Sequence, residues 1–247
     1  MNETLLSLLA PPKLENIQRA LFIQPHPDDN EIGAGGTMAA LVAQGAEVWA
    51  LTVTDDRYSS GSIYLGEEKS PRQREAEAAM AVLGVQNAGF LGFHDRTDAS
   101  IDEISLAVMR MIRRLQPDAV FTVDPWLVNE CHSDHIKVGQ AVCHAVLDAG
   151  FGFYPELPDG GRHEDAFSPR VLGLYYTAAP NTTVDISAYI ELKLKAMQAH
   201  ASQMYPGFTD MILGLAQMQA QGTEHAFVEK IKLLSSIHLH CFNLPVG

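Results

Sequence analysis

The chain has 247 residues, 47% of them apolar, and sets 17 Lys and Arg against 30 Asp and Glu for a formal charge of −13. So large an apolar share excludes a disordered chain and is enough to fill one large α/β domain spanning residues 1–247. The acidic balance, without a Lys/Arg cluster, argues against nucleic acid and anionic membrane as partners. No apolar run approaches the roughly 18–20 residues that span a bilayer, and the opening residues lack a basic signal-peptide region, so a cytoplasmic protein is expected. Three cysteines, Cys131, Cys143 and Cys241, share no paired spacing and are expected as reduced thiols.

After an N-terminal extension over residues 1–19, ALFIQP (20–25) predicts a strand, GTMAALVAQG (36–45) a helix closed by glycine, and AEVWALTVT (46–54) a second strand. Ser70-Pro71 then opens a helix with an N-cap, a proline at its first position, Gln73 as capping-box partner and Gly84 as stop. AGFLGF (88–93) predicts a strand, 101–116 an amphipathic helix, and DAVFTVDP (118–125) a buried strand. A helix over 135–150 ends at Gly150, and the Gly/Pro-rich stretch 151–169 predicts a surface loop. PRVLGLYYTA (169–178) and TVDIS (183–187) are extended, and SAYIELKLKAMQAHASQ is helical. The region 206–247 is expected to be helical, with MILGLAQMQAQG and EHAFVEKIKLLSSIHLH as amphipathic segments. This alternation predicts a Rossmann-like, mostly parallel sheet with helices on both faces, plus C-terminal helices.

Ligands in such sheets bind beyond the carboxyl ends of the strands, so the residues following each strand are the ones to inspect. Pro25-His26-Pro27-Asp28-Asp29 follows the first strand, and Glu130-Cys131-His132-Ser133-Asp134-His135 follows the strand at 118–125. His26 and Asp29 on a tight turn, with His135 from the neighbouring strand end, make two imidazoles and one carboxylate. That is the ligand set of a catalytic zinc site with a position left for water. A water so activated needs a base, and Asp28 is adjacent without being used as a ligand. His132 would then donate a proton or stabilise an oxyanion. Gly33, Gly35 and Gly36 would let the backbone pass close to the turn and leave helix amides facing the site. Cys131 reads as a packed thiol. Three rival readings stand beside this one. Gly33-Ala34-Gly35-Gly36, with Asp55 and Asp56 ending the second strand, imitates a dinucleotide fingerprint, but its third glycine would fall at Met38 and the local carboxylates oppose a pyrophosphate. A metal-dependent phosphoesterase would want two metals and more cations. A structural zinc site would be closed by a fourth protein ligand such as Cys131 or Glu130.

The first motif with its following Gly-x-Gly-Gly, together with His132-x-Asp134-His135, resembles the two motifs of the LmbE-like/PIG-L zinc N-deacetylase family. Arg72-Gln73-Arg74-Glu75 with Leu83-Gly84 is similar to that family's Arg-x-x-Glu helix. Tyr175-Tyr176, Pro180-Asn181, Val184-Asp185 and the segment from Lys195 to Gln203 resemble its C-terminal blocks, so the likeness covers about residues 20–205. It implies a Rossmann-like fold, one zinc per chain on His26, Asp29 and His135, Asp28 as general base, His132 as second catalytic group and Arg72 as the substrate-binding arginine. Asp124-Pro125-Trp126 with Glu130 and His132 looks most like the members acting on diacetylchitobiose or short chito-oligosaccharides. The substrate implied is a small N-acetylated amino sugar or glycoconjugate. Ser133 replaces the family's usual proline, gaining a potential N-cap and removing no ligand. Arg72 also has a bland reading, an ion pair with Glu75 one turn away. Apolar positions on the C-terminal helices point to a homo-oligomer.

Overall fold

A computed structural model describes residues 10, 12–55, 69–152 and 165–240. Among the described residues the elements run β1 (Arg19–Gln24), α1 (Asp29–Ala43), β2 (Glu47–Thr54), α2 (Pro71–Leu83), β3 (Gln86–Phe93), α3 (Ile101–Leu115) and β4 (Ala119–Val123). They continue with α4 (Ser133–Asp148), β5 (Val171–Tyr175), β6 (Thr182–Asp185), α5 (Ile190–Gln198), α6 (Phe208–Gln219), β7 (Val228–Leu234) and a 3₁₀ turn at Ser236–Leu239. The strands form one sheet in the order β3-β2-β1-β4-β5-β7-β6, parallel from β3 through β5, with β7 antiparallel to both its neighbours. β1 is flanked by β2 and β4, and the chain leaves β1 and β4 toward opposite sides of the sheet. A crevice therefore opens beyond their carboxyl ends.

The apolar runs of the parallel strands are continuous because both faces are covered. On β1, Ala20 and Phe22 enter the layer under α1, α2 and α5, while Leu21 and Ile23 enter the layer under α3 and α4. Helix α2 ends as its sequence predicts: the Ser70 hydroxyl accepts from the Gln73 amide at 3.1 Å, the Gln73 side chain accepts from the Ser70 amide at 3.0 Å, and Gly84 takes φ +72°. The corresponding box on α3 pairs Ser100 with Glu103. Helix α4 begins two residues before the predicted start. Its cap is the His132 side chain, which accepts from the Asp134 amide at 3.3 Å, so Ser133 is not the cap.

The segment predicted as a helix over 224–240 is instead β7 followed by the 3₁₀ turn. Within β7, Val228, Glu229, Ile231, Leu233 and Leu234 are all buried, because the strand lies between β5 and β6 with covered faces on both sides. Burial on both faces removes the alternation that marks a strand, and the remaining apolar spacing mimics a helix. The stretch 151–169 predicted as a surface loop has residues 153–164 outside the described range, as are residues 1–9 of the N-terminal extension.

Helix α1 starts at Asp29, seven residues before the predicted helix, and is broken at Ala34, where φ is −145°. The break orphans the Ile32 carbonyl and the amides that follow it. Lys193 of α5 donates to the Ile32 carbonyl at 2.8 Å and to Glu229 at 2.6 Å. Glu229 in turn accepts from the amides of Gly36 at 2.9 Å and Thr37 at 2.7 Å and from the Thr37 hydroxyl at 2.6 Å. A buried ion pair thus caps both halves of one kinked helix. Gly33 is required at the break because a Cβ there would collide with the Tyr175 ring. Removing one partner of such a pair strands the other in the core. Glu229→Ala is therefore expected to cost about 3–5 kcal/mol, read from denaturant unfolding, and Glu229→Gln distinctly less.

Candidate active site

The turn after β1 is built so that its backbone groups are satisfied while its side chains point forward. Gln24 donates to Thr52 at 2.9 Å and accepts from the Asn30 amide at 2.9 Å, and the Pro25 carbonyl accepts from the Thr54 amide and hydroxyl at 3.0 and 2.8 Å. Asp28, with φ +125°, stands in a region that costs an L-residue about 1–3 kcal/mol and that only surrounding contacts sustain. Arg72 supplies them from α2: its guanidinium donates to the Pro27 carbonyl at 2.7 Å and lies 3.1 Å from Asp28 Oδ2. Past β4, Asp124 closes the next turn by accepting from the Trp126 amide and the Thr177 hydroxyl. Glu130 then accepts from the His132 amide at 2.7 Å and leads into α4.

These two turns bring the sequence-predicted residues together. Asp29 lies between two imidazoles, its Oδ2 3.3 Å from His26 Nδ1 and its Oδ1 3.4 Å from His135 Nε2. The outer nitrogen of each ring is held by another carboxylate: His26 Nε2 is 3.2 Å from Asp134 Oδ2, and His135 Nδ1 is 3.0 Å from Glu130 Oε2. The His132 ring centre is 4.5 Å from that of His26 and 4.8 Å from that of His135. Two groupings among the described residues bring their ligand atoms close enough to share an ion, His26 with His132 and His135, and His26 with Asp95 and Asp134, and neither includes Asp29. In the sequence-predicted set His26, Asp29 and His135 the carboxylate stands between the two rings. Both imidazoles turn a nitrogen to the same carboxylate while their outer nitrogens are anchored by acids, the arrangement that orients metal-binding histidines.

The electrostatics divide the two adjacent aspartates. Asp29 is buried, which favours its neutral form, but His135 and His26 outweigh burial and hold its carboxyl well below the usual range. Asp28 is pushed up to about 7 by burial and by the charge of Asp29, against the opposing pull of Arg72 and His200. Burial disfavours the charged form of His26, yet hydrogen bonding to Asp134 and Asp29 raises it to about 10. His135 is raised by Asp29 and Glu130 against its own burial, whereas burial and the two charged imidazoles lower His132. Two neighbouring carboxyls are thus driven to opposite protonation preferences within one cleft.

The resulting cleft has a volume of about 420 Å³ and is lined by every predicted site residue: His26, Asp28, Asp29, Arg72, His132 and His135. Sequence reasoning missed Asp95, Arg96, Gln203 and the lining role of Asp134. Asp95 had a signal, since it stands two residues past β3 at a strand end. Gln203 had only its place in the segment from Lys195 to Gln203 that resembles a family block, because it reaches the cleft from beyond α5. Likewise missed is His200, fully buried with its Nε2 3.4 Å from Glu31.

Several expectations are corrected. The Gly33–Gly36 amides do not cradle a ligand: those of Gly36 and Thr37 are taken by the Glu229 carboxylate, which stands where a phosphate would have to bind. Glu75 does not pair with Arg72. It accepts from the Ser202 amide and hydroxyl at 2.9 and 2.7 Å. Cys131 is exposed, its thiol donating to the Asn129 carbonyl at 3.4 Å, and is not packed. Of the two aspartates that end the second strand in the dinucleotide reading, Asp55 accepts from the Asp95 amide at 3.2 Å and Asp56 lies outside the described residues.

Fold and cleft together define a Rossmann-like protein with a histidine–carboxylate cluster at its topological switch point. Residues 21–146 match the PIG-L family, described as GlcNAc-PI de-N-acetylase, and the chain belongs to that family. The diacetylchitobiose deacetylase of Thermococcus kodakarensis is 33% identical over 237 residues, covering 91% of this chain and 86% of its own. A Rhodococcus jostii 1D-myo-inositol 2-acetamido-2-deoxy-alpha-D-glucopyranoside deacetylase is 27% identical, with 76% of this chain and 82% of its own covered. Among solved structures, the N,N'-diacetylchitobiose deacetylase of Pyrococcus horikoshii superposes with a TM-score of 0.82 at 28% identity, over 98% of this chain and 96% of that one.

Loss of an outer carboxylate frees the ring it anchors. Glu130→Ala is expected to weaken binding of a divalent cation about 10- to 100-fold, measured by competition with a chromogenic chelator.

Proposed function

We propose that this protein is a hydrolase that removes the acetyl group from a small N-acetylglucosaminyl-type substrate, with one zinc ion per chain held by His26, Asp29 and His135. The observation that carries this reading is Asp29 set between His26 and His135, with Asp28 beside it in the same cleft. A divalent cation on those ligands supplies Lewis acidity, polarising an amide carbonyl and making water a competent nucleophile near neutral pH. The protein's own groups do the rest. Asp28 takes a proton from the attacking water, and His132, half-buried beside His26 and His135, stabilises the oxygen on which negative charge develops. The carbon–nitrogen bond breaks, the acyl carbon keeps the water's oxygen, and the proton held by Asp28 matches the one the departing amine needs. Arg72 holds Asp28 in its strained conformation and lines the cleft where sugar hydroxyls would lie.

The rival readings lose support on specific contacts. A phosphoesterase would want a cationic site for the phosphoryl group, but the Arg72 guanidinium is engaged by Asp28 and the Pro27 carbonyl, and Arg96 shares the cleft with the four carboxyls of Asp28, Asp29, Asp95 and Asp134. A closed structural zinc site would need a fourth ligand, yet Glu130 bonds the outer nitrogen of His135 and the Cys131 thiol bonds the Asn129 carbonyl. We further propose one α/β domain, a cytoplasmic location, which accords with no helix among the described residues being long and apolar enough to cross a membrane, and a homo-oligomer. Exposed Trp126, Val128, Met211 and Met218 support the last of these.

Asp28→Asn is expected to retain zinc and lose about 10²–10⁴-fold in turnover, whereas His26→Ala or His135→Ala loses the metal itself. Acetate release from N-acetylglucosamine, its disaccharide and thiol-linked conjugates, with zinc-loaded and chelated protein, tests the whole reading. No metal-dependent acetate from any of them would overturn it.

A further inference from the structure

A second groove, about 360 Å³, meets the reaction cleft at Asp29, Ile32 and His135 and shares none of its other lining residues. Its walls are Leu127, Tyr176, Ile212, Leu215, Ala216 and Val228, drawn from the loop after β4, the end of β5, helix α6 and strand β7. Of the charged side chains along it, Lys193 and Glu229 bond each other and the kink of α1, and Glu130 bonds His135, while Thr177, Gln219 and Lys230 add polar groups to its lining. A groove so lined favours an apolar occupant.

Its position says which one. An amide carbonyl held at the ligand cluster carries two substituents, the nitrogen with its sugar and the acyl chain. Arg72, Asp95, Arg96 and Gln203, polar groups suited to sugar hydroxyls, line the first cleft with Asp28, and none of them lines the second. The sugar belongs in the first cleft, and the acyl substituent is left facing the second. An acetyl methyl fills roughly the 30 Å³ share of one water molecule, a small part of this groove.

We propose that this groove binds the acyl chain of N-acyl amino sugars with chains longer than acetyl, making the protein an N-deacylase for medium-chain amides. The inference rests on the amide-hydrolase reading above. The reaction keeps its balance: water adds its oxygen to the acyl carbon, the carbon–nitrogen bond breaks, and a carboxylic acid and an amine leave. Each methylene drawn into the groove gains up to about fourfold in specificity.

The test compares N-acetyl-, N-butyryl- and N-hexanoylglucosamine as substrates of the zinc-loaded protein. The hexanoyl compound is expected to exceed the acetyl one in kcat/KM by at least tenfold. Leu215→Asp, at an exposed position on the groove, should lower that hexanoyl-to-acetyl ratio at least tenfold, and Leu215→Met should preserve it. A wild-type ratio below one, or a ratio that Leu215→Asp leaves unchanged, overturns the proposal. Calorimetry on Asp28→Asn separates this from failure of the underlying reading. If no amide is hydrolysed, hexanoylglucosamine binding at least tenfold tighter than acetylglucosamine still upholds the groove, and equal binding overturns it.

Discussion

The buried pair of Lys193 and Glu229 holds together the helix that carries the active-site acids. Helix α1 breaks at Ala34, between Gly33 packed against the Tyr175 ring and Gly36 close to Ile186, and a break in a helix leaves carbonyls and amides without partners. One lysine and one glutamate answer both ends of that break. The first turn of the helix is thereby free to project Asp28, Asp29 and Glu31 in directions that a straight helix, packed along its whole length, would not allow. The same pair removes the anion-binding potential of the glycine segment, so a sequence that imitates a nucleotide loop has no amides left for a phosphate.

Around the turn, opposing influences set the chemistry. Burial alone would neutralise Asp28, Asp29, His26 and His135 alike. Instead Asp29 gains two imidazole partners and stays ionised, while Asp28, next in the chain and denied them, retains its affinity for a proton despite Arg72. Asp134 and Glu130 hold the outer nitrogens of the two imidazoles and stiffen them. The negative charge of the chain is thus concentrated here in pairs, which suits a cation and a neutral sugar and disfavours a polyanion.

Much of this was legible in the residues. Two short motifs at strand ends contain five of the six site residues predicted, with Arg72 standing apart on helix α2, because a turn that aims side chains at one point is encoded within five to ten positions. Helix ends at Ser70 and Gly84 were readable for the same reason, their hydrogen bonds closing within three or four residues. Asp95 could have been found by applying the strand-end rule to β3.

Sequence by itself determined the order of elements as far as α6, the mostly parallel sheet, the family and the candidate ligands, since periodicity, capping and motif spacing are local properties. Tertiary structure alone decided that residues 228–234 are a strand, that the glycines serve packing, that Cys131 faces solvent, and that His200, Gln203 and Glu229 reach the neighbourhood of the cleft. The physical reason is separation. Glu229 caps amides 192 and 193 positions away, and Asp134 anchors a ring 108 positions away. Contacts across such distances leave no period or spacing in the chain, and burial on both faces erases the one that β7 would otherwise have carried.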